Sequence, residues 1–198
     1  MKMLSKAERT KQYILETAAP IFNKKGIAGA NIDDVLDAAK VTKGCLYGHF
    51  ESKEDLSVQV VSYMLNYNGS KLITSINKAK TAKAKVYAYF DFYKDPLDTF
   101  IQGGCPVFNI AVEADDQYPI IKQKVAEVIS NGLQLFVDIL NQGIKDGEFN
   151  HSLEPENYAF KAIAAIEGAV VLCRMMNTAK PMRTLIKNLK QELDSFTN

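Results

Sequence analysis

Apolar residues recur about every 3.6 positions along almost the whole chain, and this period constrains the fold more than any other feature. The longest apolar stripe begins at Pro119 and continues through Ile121, Leu133 and Ile144, which predicts a helix of about 27 residues. No segment has the convincing apolar–polar alternation that is typical of a half-buried strand. We therefore predict an all-α protein.

Capping residues divide the first part of the chain into short helices. Ser5 opens the first helix, and Gly26 is expected to end it with a positive φ. Two helices of about two turns each follow, the first capped by Asn31 and the second by Thr42. Two short helices joined by about three residues are typical of a helix-turn-helix.

The charge of the chain is unevenly distributed. The net charge is only +1, from 24 basic and 23 acidic residues, and gives no global indication of a nucleic-acid or membrane partner. Residues 1–53, however, contain nine basic and six acidic side chains, so they carry +3 and the remainder carries −2. A basic helical head on a slightly acidic body is typical of a DNA-reading module with a separate second function. We predict a DNA-binding domain over residues 1–53 and a separate second domain over residues 54–198.

Several classes of protein are excluded at this stage. The N-terminus turns polar at once and no stretch approaches about 20 uninterrupted apolar residues, so we expect neither a signal peptide nor a membrane span. Cys45, Cys105 and Cys173 are far apart, which indicates reduced thiols in a cytoplasmic protein. His49 and His151 form no ligand cluster with other residues, and we expect no metal and no cofactor.

The stretch from Val41 to Leu56 reads V-T-K-G-C-L-Y-G-H-F-E-S-K-E-D-L. It resembles the string G-V-S-x-G-x-L-Y-x-H-F-x-S-K-E-x-L of the TetR/AcrR family of transcriptional regulators. The segment from Ile14 to Gly26 is similar to the first helix of that family. This resemblance implies a three-helix DNA reader over residues 1–53, followed by a divergent helical ligand-binding and dimerisation domain over residues 54–198. It also implies a homodimer that binds an operator in double-stranded DNA and a small-molecule effector.

The physical chemistry of the motif supports a DNA reader. Small residues at the start of the second short helix let its N-terminus approach base edges in a major groove about 12 Å wide. Leu46 and Phe50 lie four residues apart and are expected to face the core of the head. We predict nine DNA contacts: Asn31, Ile32, Thr42, Lys43, Gly44, Cys45, Tyr47, His49 and Lys53.

Two features depart from the family pattern. Lys40 occupies the turn position at which the family usually has glycine, so we expect an altered turn. Asp33 and Asp34 begin the first short helix, where family members often carry a polar or basic residue that contacts a base. Acids there repel phosphate, unless Asp33 accepts a hydrogen bond from a cytosine amine.

The segment from Ala82 to Lys94 is rich in aromatic residues on more than one side, so we expect a centrally buried helix and a nearby apolar ligand pocket. The segment from Gly104 to Glu113 is similar to a G-C-P-x-x-N-x-x-x-E stretch of some family branches. Glu167 is expected to form a salt bridge with Arg174. The predicted effector-lining residues are Tyr89, Phe92, Tyr93, Cys105, Phe108, Asn109, Phe136 and Glu167.

The helix that begins at Pro155 carries small residues that permit close approach of another helix. Together with the last helix, it is predicted to form a four-helix bundle across a dimer axis. The alternative is that these residues are buried within one chain. The predicted interface residues are Tyr158, Ala162, Ile166, Ala169, Cys173, Leu185, Leu189 and Leu193.

Together these features predict a ligand-responsive repressor that a small, largely apolar effector releases from a palindromic operator. Three alternatives remain open from the sequence. One is a thiol-based redox sensor that acts through Cys45, and another is an architectural DNA binder without a ligand. The third is a small helical enzyme, for which we find no nucleophile–base pair, metal-ligand cluster or cofactor motif.

Overall fold

The computed structural model describes residues 5–198, and Lys2 of the basic head lies outside that range. Nine α-helices are present among the described residues. They are α1 (Lys6–Gly29), α2 (Ile32–Ala39), α3 (Lys43–Tyr47), α4 (Lys53–Ile76), α5 (Ala82–Phe92), α6 (Pro106–Gln117), α7 (Pro119–Lys145), α8 (Pro155–Met175) and α9 (Lys180–Asp194). Between residues 5 and 198 there is no strand, only an isolated bridge between Phe149 and Thr197. The all-α prediction is confirmed.

Local capping sets the helix boundaries much as the sequence predicts. The Ser5 side chain accepts from the backbone N–H of Glu8, whose carboxylate accepts from the N–H of Ser5. Gly26 has the expected positive φ, 76°, but the helix resumes for one more turn beyond it. The helix from Pro119 has the predicted 27 residues.

The first of two compact units contains the described residues up to Asn68 together with Ile101–Ala126. Within it, α1 packs against both α2 and α6. Its fully buried side chains include Leu46 and Phe50, which confirms that these two residues face the core of the head. The unit does not end at residue 53, because α6 and the beginnings of α4 and α7 pack with the head; the functional division at residue 53 stays a prediction.

The second unit contains Gly69–Phe100 and Glu127–Asn198. In it, α9 packs against α8 and α5. The expectation that α5 is buried on all sides is wrong. Phe90 and Tyr89 are buried, but Tyr87 is only half-buried and its hydroxyl donates to Asp194 Oδ1 on α9 at 2.6 Å. The helix therefore buries one face and presents another to the surface.

Candidate DNA interface and effector site

The N-terminus of α3 is exposed, and a buried side chain attaches the helix to the core of the head. The Thr42 hydroxyl oxygen accepts from the backbone N–H of Cys45 at 3.2 Å, which caps the helix. Lys43 and Gly44 are exposed, and a Cβ atom added at Gly44 would meet no atom within 4 Å. Leu46, fully buried, holds the opposite face of this short helix in the core. The result is an open helix end, with a hydroxyl and an ammonium group, that can approach a base pair closely.

The other predicted DNA contacts lie in the same compact unit as this helix end. Tyr47 is 41% exposed, and Asn31 is exposed, whereas His49 and Ile32 are half-buried. The half-buried Lys53 donates to the backbone oxygen of Ala28 at 3.3 Å. Cys45 is half-buried, and Cys105 and Cys173 are buried, and all three are reduced thiols.

The two departures from the family string have different structural outcomes. Lys40 adopts the left-handed conformation, with φ 53° and ψ 42°, so the turn keeps the backbone that glycine would favour and the expectation of an altered turn is wrong. The Asp34 carboxylate is hydrogen-bonded within the head, because it accepts from Lys25 Nζ at 2.7 Å and from the backbone N–H of Asn31 at 3.1 Å. The hydrogen bond from Lys25 lowers the pKa of Asp34 most, followed by the bond from Asn31. Asp33 is exposed.

Comparisons with known proteins agree with this geometry. A family model described as "Bacterial regulatory proteins, tetR family" matches residues 14–60, and "Tetracyclin repressor-like, C-terminal domain" matches residues 82–189. The crystal structure of a TetR-family transcriptional regulator from Cytophaga hutchinsonii is 32% identical and superimposes with a TM-score of 0.91, covering 99% of this chain and 98% of that one. The chain belongs to the TetR family.

Further relatives are described as transcriptional regulators or repressors. A TetR transcriptional regulator from Chloroflexus aurantiacus is 29% identical and has a TM-score of 0.92, with 98% of each chain covered. The HTH-type transcriptional repressor DhaR of Mycobacterium sp. strain GP1 is 22% identical, over 87% of this chain and 86% of that protein. This TetR-family protein is a ligand-responsive, DNA-binding transcriptional regulator.

The predicted effector-lining residues of this TetR-family regulator lie in both compact units. In the second unit, Tyr89 and Phe136 are buried with their ring centroids 5.0 Å apart, and Tyr93 lies 5.3 Å from Tyr89. Phe92 lies 5.1 Å from Tyr93, and Glu167 is buried on α8. The five residues therefore belong to one aromatic, partly acidic unit, and their role as effector contacts stays a prediction.

The other three predicted effector residues belong to the first unit. Cys105 is buried directly before α6, and Phe108 is half-buried on that helix. Asn109 is used structurally, because its Nδ2 donates to the side-chain oxygen of Asn23 at 3.0 Å and to the backbone oxygen of Gly103 at 2.9 Å. Asn109 thus takes part in packing α6 on α1, and its role as an effector contact stays a prediction.

A cavity of about 250 Å³ opens in the first unit. It lies between the first turns of α4, the end of α1 and the junction of α6 with α7, with Lys53 and Tyr118 among its lining residues. None of the predicted effector residues lines it. No pattern in the sequence points to this cavity, because its walls come from three segments far apart in the chain.

The predicted dimer interface is wrong for six of its eight residues. An interface residue must be accessible in one protomer, but these six side chains are at most 4% exposed because they pack within the single chain: Tyr158, Ala162, Ile166, Cys173, Leu189 and Leu193. Ala169 and Leu185 are half-buried. The alternative of burial within one chain is correct for the seam between α8 and α9.

A different face of α8 is open. It carries large apolar side chains that are exposed by between 52% and 78%: Phe160, Val171, Leu172 and Met175. Ala164 and Gly168, which are also exposed, lie between them at helical spacing. The sequence contains this face as a second apolar stripe on α8, but the predicted interface used the first stripe, which includes Ala162.

Arg174 Nη1 donates to the backbone oxygen of Pro96 at 3.5 Å, and the expected ion pair between Glu167 and Arg174 stays a prediction. In the described part of the chain, no group of three or more His, Cys, Asp or Glu could hold a metal ion. None of the described helices is long and apolar enough to cross a membrane.

Proposed function

We propose that this TetR-family regulator is a homodimeric, cytoplasmic repressor that reads a two-fold symmetric operator with α3 and releases it when a small, largely apolar effector binds. The observation that carries this proposal is the N-terminus of α3. This helix end is capped by Thr42, exposes Lys43 and leaves open space at Gly44. The buried side chains of Leu46 and Phe50 hold it on the core of the head. A helix end with these properties fits the major groove.

Phosphate contacts complete the proposed reading of the operator. The hydroxyl of the exposed Tyr47 side chain and the imidazole of His49 are suited to hydrogen-bond phosphate oxygens beside the groove. Lys53 lies in the first turn of α4 and supplies a positive charge near the same backbone. Because the head carries a net charge of only +3 over residues 1–53, we infer that two heads are needed for tight binding.

The exposed apolar face of α8 supports the homodimer. Monomeric proteins rarely leave a contiguous patch of large apolar side chains in water, and Phe160, Val171, Leu172 and Met175 would form one along a single helix. The small residues Ala164 and Gly168 between them permit close approach of a second helix. We propose that the occupant is the same face of a second copy, because an isologous contact makes the patch self-complementary.

The effector is proposed to bind in the second unit, near Tyr89, Tyr93 and Phe136. The clustered aromatic rings and the buried carboxyl group of Glu167 in the same unit favour an apolar molecule, and a cationic group on it would complement that acid. Release of the operator then requires that the effector bind more tightly to a conformation whose heads no longer fit both half-sites.

Selection of duplexes from a random library by the purified protein tests this proposal. We expect one enriched sequence with two-fold symmetry and half-sites about one helical turn or more apart. Enrichment of no sequence, or of a sequence without symmetry, would contradict the proposed function.

A further inference from the structure

Polar side chains hydrogen-bond α6 to α1, the helix that precedes the helix-turn-helix. Asn109 on α6 donates from Nδ2 to the backbone oxygen of Asn23 at 3.2 Å and to its Oδ1 at 3.0 Å. Asn23, on α1, is only 5% exposed. Its own Nδ2 donates at 3.2–3.4 Å to three successive or nearly successive carbonyl groups before α6, those of Ile101, Gln102 and Gly104. The two amides therefore interlock α1 with the start of α6.

A second attachment lies one turn further along α6. Gly26, with φ 76° and ψ 176°, interrupts α1, so the next turn begins with N–H groups that lack a normal helical acceptor. The Glu113 carboxylate supplies it: Oε2 accepts from the N–H of Ile27 and Oε1 from that of Ala28, each at 2.7 Å. Glu113 thus caps a break in α1 from another helix.

Close backbone approach makes both attachments possible. A Cβ atom at Gly26 would lie 2.6 Å from Oε2 of Glu113, and one at Gly103 would lie 2.9 Å from Asn23. Both glycines have positive φ, 76° and 127°. Glycine is therefore required twice, once on each side of the contact.

We propose that Asn23, Asn109 and Glu113 form a clamp, the α1–α6 clamp, which fixes the orientation of the DNA reader on α6 and thereby sets the spacing of half-sites that a dimer accepts. Asn109 and Glu113 are four residues apart, so they lie on the same face of α6. Two attachment points on one face prevent α1 from rotating about either of them. The inference rests on the proposed function, since half-site spacing has meaning only for two readers in one dimer.

The hydrogen bonds of the clamp are better suited than apolar contacts to fix the orientation of α1 on α6. Hydrogen bonds weaken steeply away from their preferred angle, so a rotation of α1 on α6 would weaken several of them together. The same segment of α1 also contacts α4, because the backbone oxygen of Ala28 accepts a hydrogen bond from Lys53 at the start of α4. The clamp thus joins α6 to the turn of α1 that contacts Lys53, a proposed phosphate contact on α4.

The dependence of affinity on half-site spacing distinguishes a clamp that orients the reader from one that only stabilises the fold. Insertion of one base pair between half-sites turns one of them by about 34° and moves it by about 3.4 Å. A rigid reader loses affinity for the altered duplex, whereas a reader freed from its clamp can follow it. Simple destabilisation of the fold would weaken binding to all spacings by the same factor.

The test measures the affinity of the full-length protein for the selected operator and for duplexes with one base pair added or removed. The variants are Glu113→Gln and Asn109→Ala, with Asp116→Asn as the matched control, because Asp116 is an exposed carboxylate on the same helix. For the wild type and the control we expect a spacing penalty of about tenfold or more. For the two clamp variants we expect that penalty to fall to about threefold or less.

The outcomes distinguish the inference from the proposed function. If the wild type discriminates between spacings and both clamp variants keep the same penalty, the clamp inference is overturned while the proposed function stands. If the wild type itself binds all spacings equally, the dimeric reading of a symmetric operator fails, and the inference fails with it. Amide hydrogen exchange of Ile27 and Ala28 in Glu113→Gln adds a second measurement: unchanged protection of both amides would also overturn the inference.

Discussion

The hydroxyl of Tyr158 on α8 donates a hydrogen bond to the backbone oxygen of Leu189 on α9, at 2.7 Å within a single chain. This bond lies in the seam between the two helices, where the side chains of Ala162 and Leu193 are also fully buried. The seam is therefore part of the protomer core, and the surface available to a partner lies elsewhere on α8.

Loss of this bond is expected to destabilise the protomer without affecting the dimer. Tyr158→Phe keeps the buried ring but removes the donor, and we expect the free energy of unfolding to fall by about 1 kcal/mol. Urea denaturation measures this loss, and sedimentation velocity is expected to give an unchanged oligomeric state. A variant as stable as the wild type would contradict the role assigned to the bond.

The same tyrosine predicts a dependence of stability on alkaline pH. Burial raises the pKa of Tyr158 most, and the nearby Glu192 carboxylate raises it further. A raised pKa in the folded state means that the stabilising effect is complete below the unfolded value of about 10 and is lost as the pH rises above it. We expect the stability of Tyr158→Phe to fall less steeply than that of the wild type above pH ~10, whereas Tyr13→Phe, at a tyrosine 49% exposed, follows the wild type.

Two substitutions on different faces of α8 separate the interface from the core. Phe160 is 65% exposed and Ala162 is 0% exposed. We expect Phe160→Asp to give a folded monomer, because it places charge in the proposed dimer face, and Ala162→Asp to unfold the chain, because it buries a charge. Circular dichroism and analytical ultracentrifugation give both results, with Asn141→Asp, at an exposed position of α7, as the control for added charge. A dimeric Phe160→Asp at every concentration would rule out this face.

The turn of the helix-turn-helix offers a stabilising substitution. Lys40 holds φ 53°, a conformation that costs a non-glycine residue about 1–2 kcal/mol. Glycine removes that cost but adds about 0.5–1 kcal/mol of unfolded-state entropy, so we expect Lys40→Gly to stabilise the protein by up to about 1 kcal/mol. Lys40→Ala removes the same charge without relieving the backbone and is expected to give no gain. Equal stability of the two variants would contradict the strain assigned to this turn.

Features that depend on neighbouring residues were predictable from the sequence. The caps at Ser5 and Thr42, the positive φ of Gly26 and the start of α7 at Pro119 all follow from short-range chemistry. The exposed helix end of α3 follows from the same local pattern, because Leu46 is the apolar residue that is buried while Lys43 and Gly44 are exposed.

Features that depend on distant contacts were not predictable in this way. α8 carries two apolar stripes, through Ala162 and through Phe160, and periodicity alone does not say which of them α9 covers. The bond between Asn23 and Asn109 joins residues 86 positions apart. The resemblance of residues 104–113 to a family stretch marked these side chains, but only the packing of α6 on α1 reveals what they contact.

The salt dependence of operator binding by Lys43→Ala tests most directly whether α3 reads DNA. Each ammonium that neutralises a phosphate contributes about 0.9 to the slope of log affinity against log salt concentration. For a dimer with two such residues, we expect the slope to become shallower by about two, with weaker binding to the selected operator and unchanged thermal stability. Lys78→Ala, at an exposed lysine of the second unit, is expected to match the wild type. Wild-type affinity and slope in Lys43→Ala would contradict the assignment of α3 as the reading helix.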